Sequence, residues 1–443
     1  MRTFPKTLLA AIAWIAAYLA LVLAPLLLFL IGPVQPGLGF WWDFSMALGF
    51  SSMAMMGVQF ALTARFRRAT APFGIDIIYY FHRYVAVLAF LLILAHVLII
   101  RIDSPAALSP RNPLEAPWHM SVGRGAFLLF AAVIVTSLWR KRLRIEYDRW
   151  RLLHALLATA AFALALGHIE GTGYSLQATV KRLVWTAFTL FWILLIIRVR
   201  LIRPFRMMRS PYKVAEVRKE RGSVWTLAVT PDGHRGIRFE PGQFAWLTLR
   251  ASPFHLKEHP FSFSSSPARA GHLEFTIKEL GDFSSTIKSI EPGEIAYLDG
   301  PYGVFTSDRY TAAPGFVFIA GGIGIAPIMS MLRSLADKHD KRPLSLIYGN
   351  ERWDRVVFRE ECESLKAELN LDVVHVLGDP PENWMGERGL ITQEVLGRHL
   401  PAGYENFECF ICGPNPMIRS VEQSLSNLRV PFRRVHSEIF DLA

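Results

Sequence analysis

Four histidines lie within apolar stretches of this sequence, and their spacing gives them a shared geometry. His82 and His96 lie on one stretch, His154 and His168 lie on another, and both pairs are fourteen residues apart. Because an α-helix turns about 100° per residue, fourteen positions return a side chain to within about 40° of the same face, about 21 Å along the axis. Each helix would therefore present imidazoles at two levels. Two facing imidazoles at each level are the axial ligands of a six-coordinate haem iron, so the pattern predicts two stacked b-type haems.

The same four residues allow other interpretations. A single buried histidine is more often a hydrogen-bond partner between helices than a ligand. Four together could instead form a different metal site or a proton relay in a haem-free transporter. Ionisable residues inside a membrane are costly and usually functional, and the matched spacing in two helices favours the haem hypothesis. The sequence contains no C-x-x-C-H motif, so we expect a haem that is not covalently attached.

These histidines require apolar helices to carry them, and six stretches have membrane-spanning length. The stretches are 7–31, 44–64, 75–100, 125–139, 152–169 and 183–202. We therefore predict a bundle of six transmembrane helices in a lipid bilayer. A cleaved signal peptide is the alternative for the first stretch. Its apolar run, however, exceeds the roughly 15 residues of a signal core, and no A-x-A site closes it.

Positive charge is concentrated in this part of the chain. The net charge is +11; residues 1–203 contain 20 Lys and Arg against 7 Asp and Glu, whereas the remainder contains 28 against 30. A nucleic-acid-binding protein would carry its basic patch on a soluble surface, so nucleic acid is excluded as a partner. Basic loops follow the second, fourth and sixth stretches, and the positive-inside rule then places both termini in the cytoplasm.

The pattern changes to short elements from Pro211 onward. Alternating strands broken by Pro-Gly and Asp-Gly turns predict an antiparallel β-barrel that ends near residue 306. From residue 315 strands alternate with helical stretches, which predicts a parallel α/β sheet with helices on both faces. We therefore predict a multi-domain protein with a transmembrane bundle, a β-barrel and an α/β domain. Their predicted ranges are 1–204, 205–310 and 311–443.

One segment of the predicted barrel has the composition of a flavin site. Residues 259–265 read His-Pro-Phe-Ser-Phe-Ser-Ser, and strand alternation would send the two phenylalanines to one face and Ser262 and Ser264 to the other. A flavin needs an apolar ring beside its isoalloxazine and donors for its polar edge, although a packed strand alone could show this pattern. The candidate FAD ligands are His259, Pro260, Phe261, Ser262, Ser264 and Ser265. Candidates for the pyrophosphate, at a helix start, are Lys278, Gly281, Ser284 and Ser285.

A strand, a glycine turn and a helix follow in the α/β domain, which is the arrangement that binds a nucleotide phosphate. The residues at this turn are Gly321, Gly322, Gly324 and Pro327, and Cys412, Gly413 and Pro414 close a later strand in the same manner. Cys409 and Cys412 form a C-x-x-C, but positions three apart on a strand face opposite sides. We therefore expect Cys412 to line the nicotinamide site and Cys409 to lie in the core.

The end of the second α/β strand should meet the adenosine ribose of the nicotinamide cofactor. Asn350 lies there and is followed by Glu351, Arg352 and Arg355. An acidic residue would bind the 2′-hydroxyl of NADH, whereas arginine would bind the 2′-phosphate of NADPH through parallel N–H bonds. Both residue types are present. The two arginines favour NADPH, and NADH stays possible.

Together these motifs resemble the ferric reductase and NADPH oxidase family, bacterial type, with a cytoplasmic part similar to ferredoxin-NADP reductases. The paired histidines are similar to that family's haem ligands, and 259–265 resembles its H-P-F-x-x-x-S flavin motif. Relatives end at or near an aromatic residue that stacks on the flavin. The resemblance implies that Phe440 covers the flavin where nicotinamide enters, with Cys412 beside it, although three residues follow Phe440 here.

The resemblance also implies a function and a location. Electrons would pass from NADPH through FAD, which converts a two-electron donor into single electrons, and then through two haems across a bacterial inner (plasma) membrane. The acceptor outside would be oxygen, giving superoxide, or a ferric chelate. A periplasmic partner protein or a quinone is the alternative acceptor.

Overall fold

In the computed structural model of this protein, the described residues up to Pro204 are mainly helical, and strands and helices alternate in the rest. The structure describes residues 12–23, 39–64, 74–108, 110, 112, 115–173, 179–269 and 271–439, without the side chains of 74–77. The chain divides into two units. The first is Met1–Pro204 with Phe254–Leu256, and the second is Phe205–Pro253 with Lys257–Ala443.

Apolar helices build the first unit. They are α1 (Ile12–Leu23), α2 (Phe40–Thr63), α3 (Gly74–Asp103), α4 (Trp118–Leu138), α5 (Tyr147–Thr172) and α6 (Thr179–Ile197). Within the described ranges, α2 to α6 are the five helices long and apolar enough to cross a membrane. The fourth predicted span is longer than expected because its helix already begins at Trp118. Most of the first predicted span lies outside the described residues, and α1 is the part of it that is seen. The predicted fold class is confirmed. The predicted count of six membrane helices is matched approximately, by five long apolar helices and the shorter α1.

Small residues allow these helices to approach closely. Helix α2 packs against α3, and α4 packs against α5. Ser52 of α2 donates a hydrogen bond of 2.7 Å to the carbonyl of Ala89 on α3, and both residues are fully buried. Outward-facing leucines such as Leu128 and Leu194 are more than 60% exposed. An apolar surface of this extent suits lipid rather than water, so the first unit is membrane-embedded.

The second unit begins with an antiparallel sheet. Its six strands are ordered β4-β3-β6-β1-β2-β5. They are β1 (Tyr212–Lys219), β2 (Val224–Pro231), β3 (Phe244–Leu249), β4 (His259–Ser262), β5 (Leu273–Lys278) and β6 (Ile295–Tyr302). A short helix, α7 (Asp282–Thr286), follows β5. The core between the strands contains fully buried Leu227, Leu247, Phe263 and Phe275, as apolar alternation along the strands predicts.

A parallel sheet of order β10-β9-β8-β7-β11-β12 follows. Its strands are β7 (Phe316–Gly321), β8 (Leu344–Asn350), β9 (Leu371–Leu377), β10 (Glu387–Arg388), β11 (Glu408–Gly413) and β12 (Val435–Ile439). Its helices are α8 (Ile325–Asp337), α9 (Arg359–Glu368), α10 (Gln393–His399) and α11 (Asn415–Asn427). The chain runs outward from β7 in one direction through β8 and β9, and in the other through β11 and β12. The crevice at the carboxyl ends of β7 and β11 is therefore a topological switch point, where such sheets bind ligands.

The antiparallel and parallel sheets share part of one core. Val224 and Phe305 belong to the antiparallel part, and they join the cluster of buried residues that contains Phe318 and Leu332. Because apolar side chains of both sheets exclude water together, the two sheets form one compact unit. The sites on each sheet are held in a defined relation to one another.

Candidate cofactor sites

The first pair of membrane histidines, His82 on α3 and His154 on α5, faces each other. Their ring centroids are 6.2 Å apart, with an angle of 66° between the ring planes. Metal–nitrogen bonds of about 2 Å, plus about 1 Å from each nitrogen to its ring centre, would place two imidazoles on one metal about 6 Å apart. Ser137 Oγ lies 3.1 Å from His154 Nδ1, and His82 Nδ1 is buried with no hydrogen-bond partner among the described residues. The gap between the rings therefore has the size of one axially ligated metal.

The second pair, His96 and His168, is held by backbone carbonyls of the preceding helices. His96 Nδ1 lies 2.8 Å from the carbonyl oxygen of Ser45, and His168 Nδ1 lies 2.9 Å from that of His119. A carbonyl oxygen only accepts hydrogen bonds, so both Nδ1 atoms must carry the proton. This leaves each Nε2 as a lone-pair donor, which is the arrangement that metal-binding histidines use.

A glycine lies against each of these two rings. A Cβ built on Gly49 would be 3.3 Å from His96 Nδ1, and one on Gly123 would be 2.6 Å from His168 Nδ1. Each glycine follows, by four residues, the residue whose carbonyl holds the histidine. Helices α2 and α4 thus contact the two rings in the same way, through one carbonyl oxygen and, one turn later, one glycine. Sequence reasoning missed this arrangement. Its signal is the four-residue spacing that Ser45 and Gly49 share with His119 and Gly123.

The candidate flavin segment contains one strand and one bend. The strand β4 ends at Ser262, so the predicted strand extending to Ser265 is too long. His259 stacks on Phe283 with centroids 3.9 Å apart, and Phe261 lies 5.9 Å from the same ring. The Ser262 hydroxyl is buried and has no partner among the described residues. Aromatic faces and a hydroxyl free to donate therefore lie together at this end of the barrel.

The other serines and the second phenylalanine are engaged in the barrel itself. Ser264 Oγ accepts a 2.8 Å hydrogen bond from Thr276, and Ser265 Oγ accepts one of 3.1 Å from the backbone N–H of Glu274. Phe263 is fully buried and stacks on Phe239 at 4.1 Å, and Phe261 packs against the same apolar cluster, so the two rings lie on one side as predicted. A role for either ring beside the flavin stays a prediction. The roles of Pro260, Ser264 and Ser265 in binding flavin stay predictions.

The candidate pyrophosphate turn is partly occupied by its own hydrogen bonds. The backbone N–H groups of Leu280 and Gly281 donate to Ser284 Oγ at 2.9 and 3.0 Å, and Ser285 Oγ donates to the Gly281 carbonyl at 2.9 Å. Lys278 is exposed at the end of β5. The turn is preorganised by Ser284, and phosphate binding by this group stays a prediction.

The glycine turn after β7 meets the end of β11. A Cβ on Gly324 would lie 2.1 Å from the carbonyl oxygen of Cys412, and one on Gly321 would lie 2.9 Å from Pro414 Cδ. A Cβ built on Gly413 would lie 3.1 Å from the backbone of Gly321. Gly322 has φ of +54°, which favours glycine. The predicted nicotinamide residues therefore come together at the switch point, with Pro327 in the first turn of α8.

Cys412 lies at this crevice and Cys409 lies on the opposite side of the sheet, in a different core cluster. Burial, and then the nearby charge of Glu438, holds the pKa of the Cys412 thiol well above its usual value, so the thiol is neutral. Glu438 on β12 is directly across from Cys412 in the strand register. Sequence reasoning missed Glu438, whose signal is an acidic residue at the end of the last strand. The other predicted catalytic residue, Phe440, lies outside the described residues.

The candidate ribose loop holds its arginines in ion pairs. Arg352 Nε lies 3.1 Å from the Asp354 carboxylate, and Arg355 is paired with Glu351. Both arginine side chains are about half exposed, at 49% and 50%, and Asn350 ends β8 beside them. A 2′-phosphate would have to compete with these carboxylates for the guanidinium groups.

Comparisons with known proteins agree with this division of the chain. A family model for a ferric reductase like transmembrane component matches residues 48–165, one for an FAD-binding domain matches 211–306, and one for an oxidoreductase NAD-binding domain matches 318–423. The fold and sites thus define a membrane protein with FAD-binding and NAD-binding domains. This combination of three matched domains is the architecture of the ferric reductase and NADPH oxidase family.

Individual relatives match only part of the chain. NADH-cytochrome b5 reductase 1 of Debaryomyces hansenii is 35% identical over 173 residues, covering 37% of this chain and 59% of that protein. The enzyme of the same name from Cryptococcus neoformans var. neoformans serotype D is 34% identical over 185 residues, covering 39% and 62%. The chain thus spans about three fifths of these relatives' length. A solved FAD/NAD binding domain of nitric oxide dioxygenase from Vibrio cholerae O1 biovar El Tor is 21% identical with a TM-score of 0.46, covering 52% of this chain and 97% of that one.

The contact between Gly324 and Cys412 gives a testable prediction. In Gly324→Ala the new methyl group must displace backbone of β11, which costs about 1–3 kcal/mol. We expect the Kd for NAD(P)H, measured from the concentration dependence of the anaerobic flavin reduction rate, to rise about tenfold or more. FAD content should stay at the wild-type level because the barrel is untouched. Gly397→Ala is the matched control, since its Cβ would meet only Leu428 at 3.9 Å. Equal affinities in both variants would contradict the assignment.

Proposed function

We propose that this protein is an oxidoreductase that carries electrons from cytoplasmic NADPH, through FAD and two b-type haems, to an acceptor on the outer side of a bacterial inner membrane. The observation that carries the proposal is the facing pair His82 and His154, together with the matching carbonyl contacts of His96 and His168. The FAD-binding and NAD-binding domains supply the donor side. The alternative is a membrane module that passes electrons to a periplasmic partner or a quinone.

The residues around the histidines fit a haem at each level. The separation of 6.2 Å between His82 and His154 suits axial ligation of one iron. Carbonyl acceptors on His96 and His168 direct their Nε2 atoms away from the preceding helices, and glycines leave room for the rings. A bound haem would supply a one-electron carrier at each level. Histidines of a proton relay would not need the same carbonyl and glycine contacts in both helices.

The orientation follows from the basic loop between α4 and α5. Lys141, Arg142 and Arg144 are exposed in this loop, and basic loops stay in the cytoplasm. His154 lies near the start of α5, directly after the loop, whereas His168 lies near its end. The pair His82/His154 is therefore the cytoplasmic one, and His96/His168 is the outer one. Electrons would enter at the first pair and leave at the second.

The kind of acceptor follows from how histidines would bind each haem iron. When both axial positions of an iron are filled by histidine, an acceptor cannot bind the metal without displacing a ligand. Transfer outside would then be outer-sphere, which suits oxygen reduced to superoxide or a ferric chelate. Oxygen and a ferric chelate are small acceptors that need no dedicated docking surface.

The haem assignment predicts which substitutions remove which haem. His96→Ala or His168→Ala should lose mainly the outer haem, and His82→Ala or His154→Ala the cytoplasmic one, because each iron would lose an axial ligand. A pyridine haemochrome assay on the purified protein should return two haems per chain for wild type and one for each variant. His119→Gln is the matched control, since only its backbone carbonyl holds His168. Wild type with one haem or none would refute the proposal.

The acceptor assignment is tested by turnover. With NADPH as donor and oxygen or a ferric chelate as sole acceptor, the purified protein should oxidise NADPH steadily. With oxygen, superoxide should form in proportion to NADPH consumed, because each outer-sphere step moves one electron. Turnover that appears only after adding a quinone, or a copurified periplasmic protein, would favour the alternative function.

The choice of NADPH is tested at Arg355 and Arg352. A 2′-phosphate carries more negative charge than a carboxylate and binds arginine through two N–H bonds, so we expect it to replace Glu351 and Asp354. Arg352→Ala and Arg355→Ala should raise the KM for NADPH about tenfold and leave that for NADH nearly unchanged. Arg398→Ala is a control, because it removes an arginine of similar exposure, 56%, elsewhere in the domain. The curated relatives are named as NADH enzymes. A wild type that prefers NADH would show that the arginines only solvate the loop.

A further inference from the structure

One buried guanidinium joins the flavin-binding part of the second unit to its nicotinamide-binding part. Arg333 on α8 is 8% exposed. Its Nε and Nη2 donate to both carboxylate oxygens of Glu361 on α9, at 2.6 and 2.7 Å. Its Nη1 donates to the Glu274 carboxylate on β5 at 2.8 Å and to the carbonyl of Ser264 at 2.7 Å. One side chain therefore holds a strand residue of the antiparallel part, a helix residue of the parallel part and the backbone of the candidate flavin segment.

These contacts fix the positions of the groups around Arg333 in addition to neutralising charge. Glu274 is also buried, and Arg333 is the nearest of the basic side chains around it, at 2.8 Å against 3.7 Å for Arg218. The planar guanidinium sits 4.9 Å from the ring of Phe358, which limits its rotation. Arginine presents its donors in a fixed fork, and a lysine ammonium at the same position could not span three acceptors. The two sheets are thereby held in one relative position.

The same helix holds the next residue of the flavin segment. Ser330, three residues before Arg333, donates a 2.7 Å hydrogen bond to the carbonyl of Ser265. Two consecutive carbonyls after β4 are therefore bound by one face of α8. That helix begins directly after Gly324, the residue in contact with Cys412, and Arg333 lies about 14 Å further along its axis. The helix is a rigid link between the nicotinamide turn and the exit of the flavin strand.

We propose that Arg333 and Ser330 are positioning residues for hydride transfer, setting the distance between nicotinamide and flavin. This inference rests on the donor side of the proposed function and not on the haems. In the step concerned, the C4–H bond of the nicotinamide breaks and a bond from hydrogen to flavin N5 forms. The nicotinamide is oxidised by two electrons and the flavin is reduced by the same two. A misplacement of about 1 Å in such a step can cost about a hundredfold in rate.

A second ion pair crosses the same boundary and serves as a control. Arg221, in the turn between β1 and β2, pairs at 2.5 Å with Glu360, the neighbour of Glu361. Its side chain is 37% exposed and that of Glu360 is 66% exposed. Exposed pairs of this kind contribute little because water and salt screen them. Arg221→Lys should therefore leave hydride transfer unchanged.

The test follows flavin reduction in the full-length protein, mixed anaerobically with NADPH in a stopped-flow spectrometer. Arg333→Lys should lower the limiting rate of flavin reduction about 10- to 100-fold, and Ser330→Ala should lower it in the same direction by a smaller factor. FAD bound per chain and the Kd for NADPH should stay near wild type. NADPH carrying deuterium at the transferred position should show a primary isotope effect in Arg333→Lys, because the hydride step would limit the rate.

The outcomes separate the inference from the proposed function. Limiting rates equal to wild type in both variants would overturn the positioning role. So would a rate that falls only in proportion to the FAD lost from the protein. If Arg333→Lys does not fold, Ser330→Ala decides, because it removes a single hydroxyl. A wild type in which NADPH reduces flavin but no haem follows would refute the proposed function and leave the positioning role intact. A wild type whose flavin NADPH does not reduce would refute both.

Discussion

A hydrogen bond from imidazole to a backbone carbonyl of the neighbouring helix determines what the membrane unit can do. Within a bilayer an unsatisfied polar group costs several kcal/mol, so a hydrogen bond to a buried imidazole strongly favours one ring orientation. His96 and His168 satisfy Nδ1 with the carbonyls of Ser45 and His119, and this leaves Nε2 for a ligand. The helices must then lie close together, which is why glycines occupy the next turn. Ring orientation, helix spacing and the proposed haem site all depend on this one contact.

The second unit depends on the equivalent constraint, close approach of backbone to backbone. Gly324 contacts the carbonyl of Cys412, so the turn after β7 and the end of β11 form one crevice. A neutral thiol and Glu438 lie there, and the glycines let the two backbone segments come into contact. The nicotinamide turn is then joined to the flavin segment through α8. In both units, glycines allow two elements to approach closely beside a candidate cofactor site.

Sequence patterns were reliable where the relevant interaction is local. Apolar length predicted the long helices, and strand alternation placed Cys409 and Cys412 on opposite sides of the sheet. The pattern predicted one strand through Ser265, but the strand ends at Ser262 and Phe263 forms only an isolated bridge with Phe275. The hydroxyls of Ser264 and Ser265 are bound within the barrel for the same reason. A bend depends on contacts with β5, which periodicity along 259–265 cannot reveal.

The sequence by itself determined the chemistry available to this protein: four histidines at matched spacing, the flavin segment, the glycine turn and the distribution of charge. Only the tertiary structure decided which groups hold those residues. The carbonyl of Ser45 is 51 residues from His96, and the carbonyl of Ser264 is 69 residues from Arg333. Propensity and periodicity act over a few turns, whereas these contacts depend on how packed elements are rotated against each other. The rotation is set by the shape of the whole core, and no short segment encodes it.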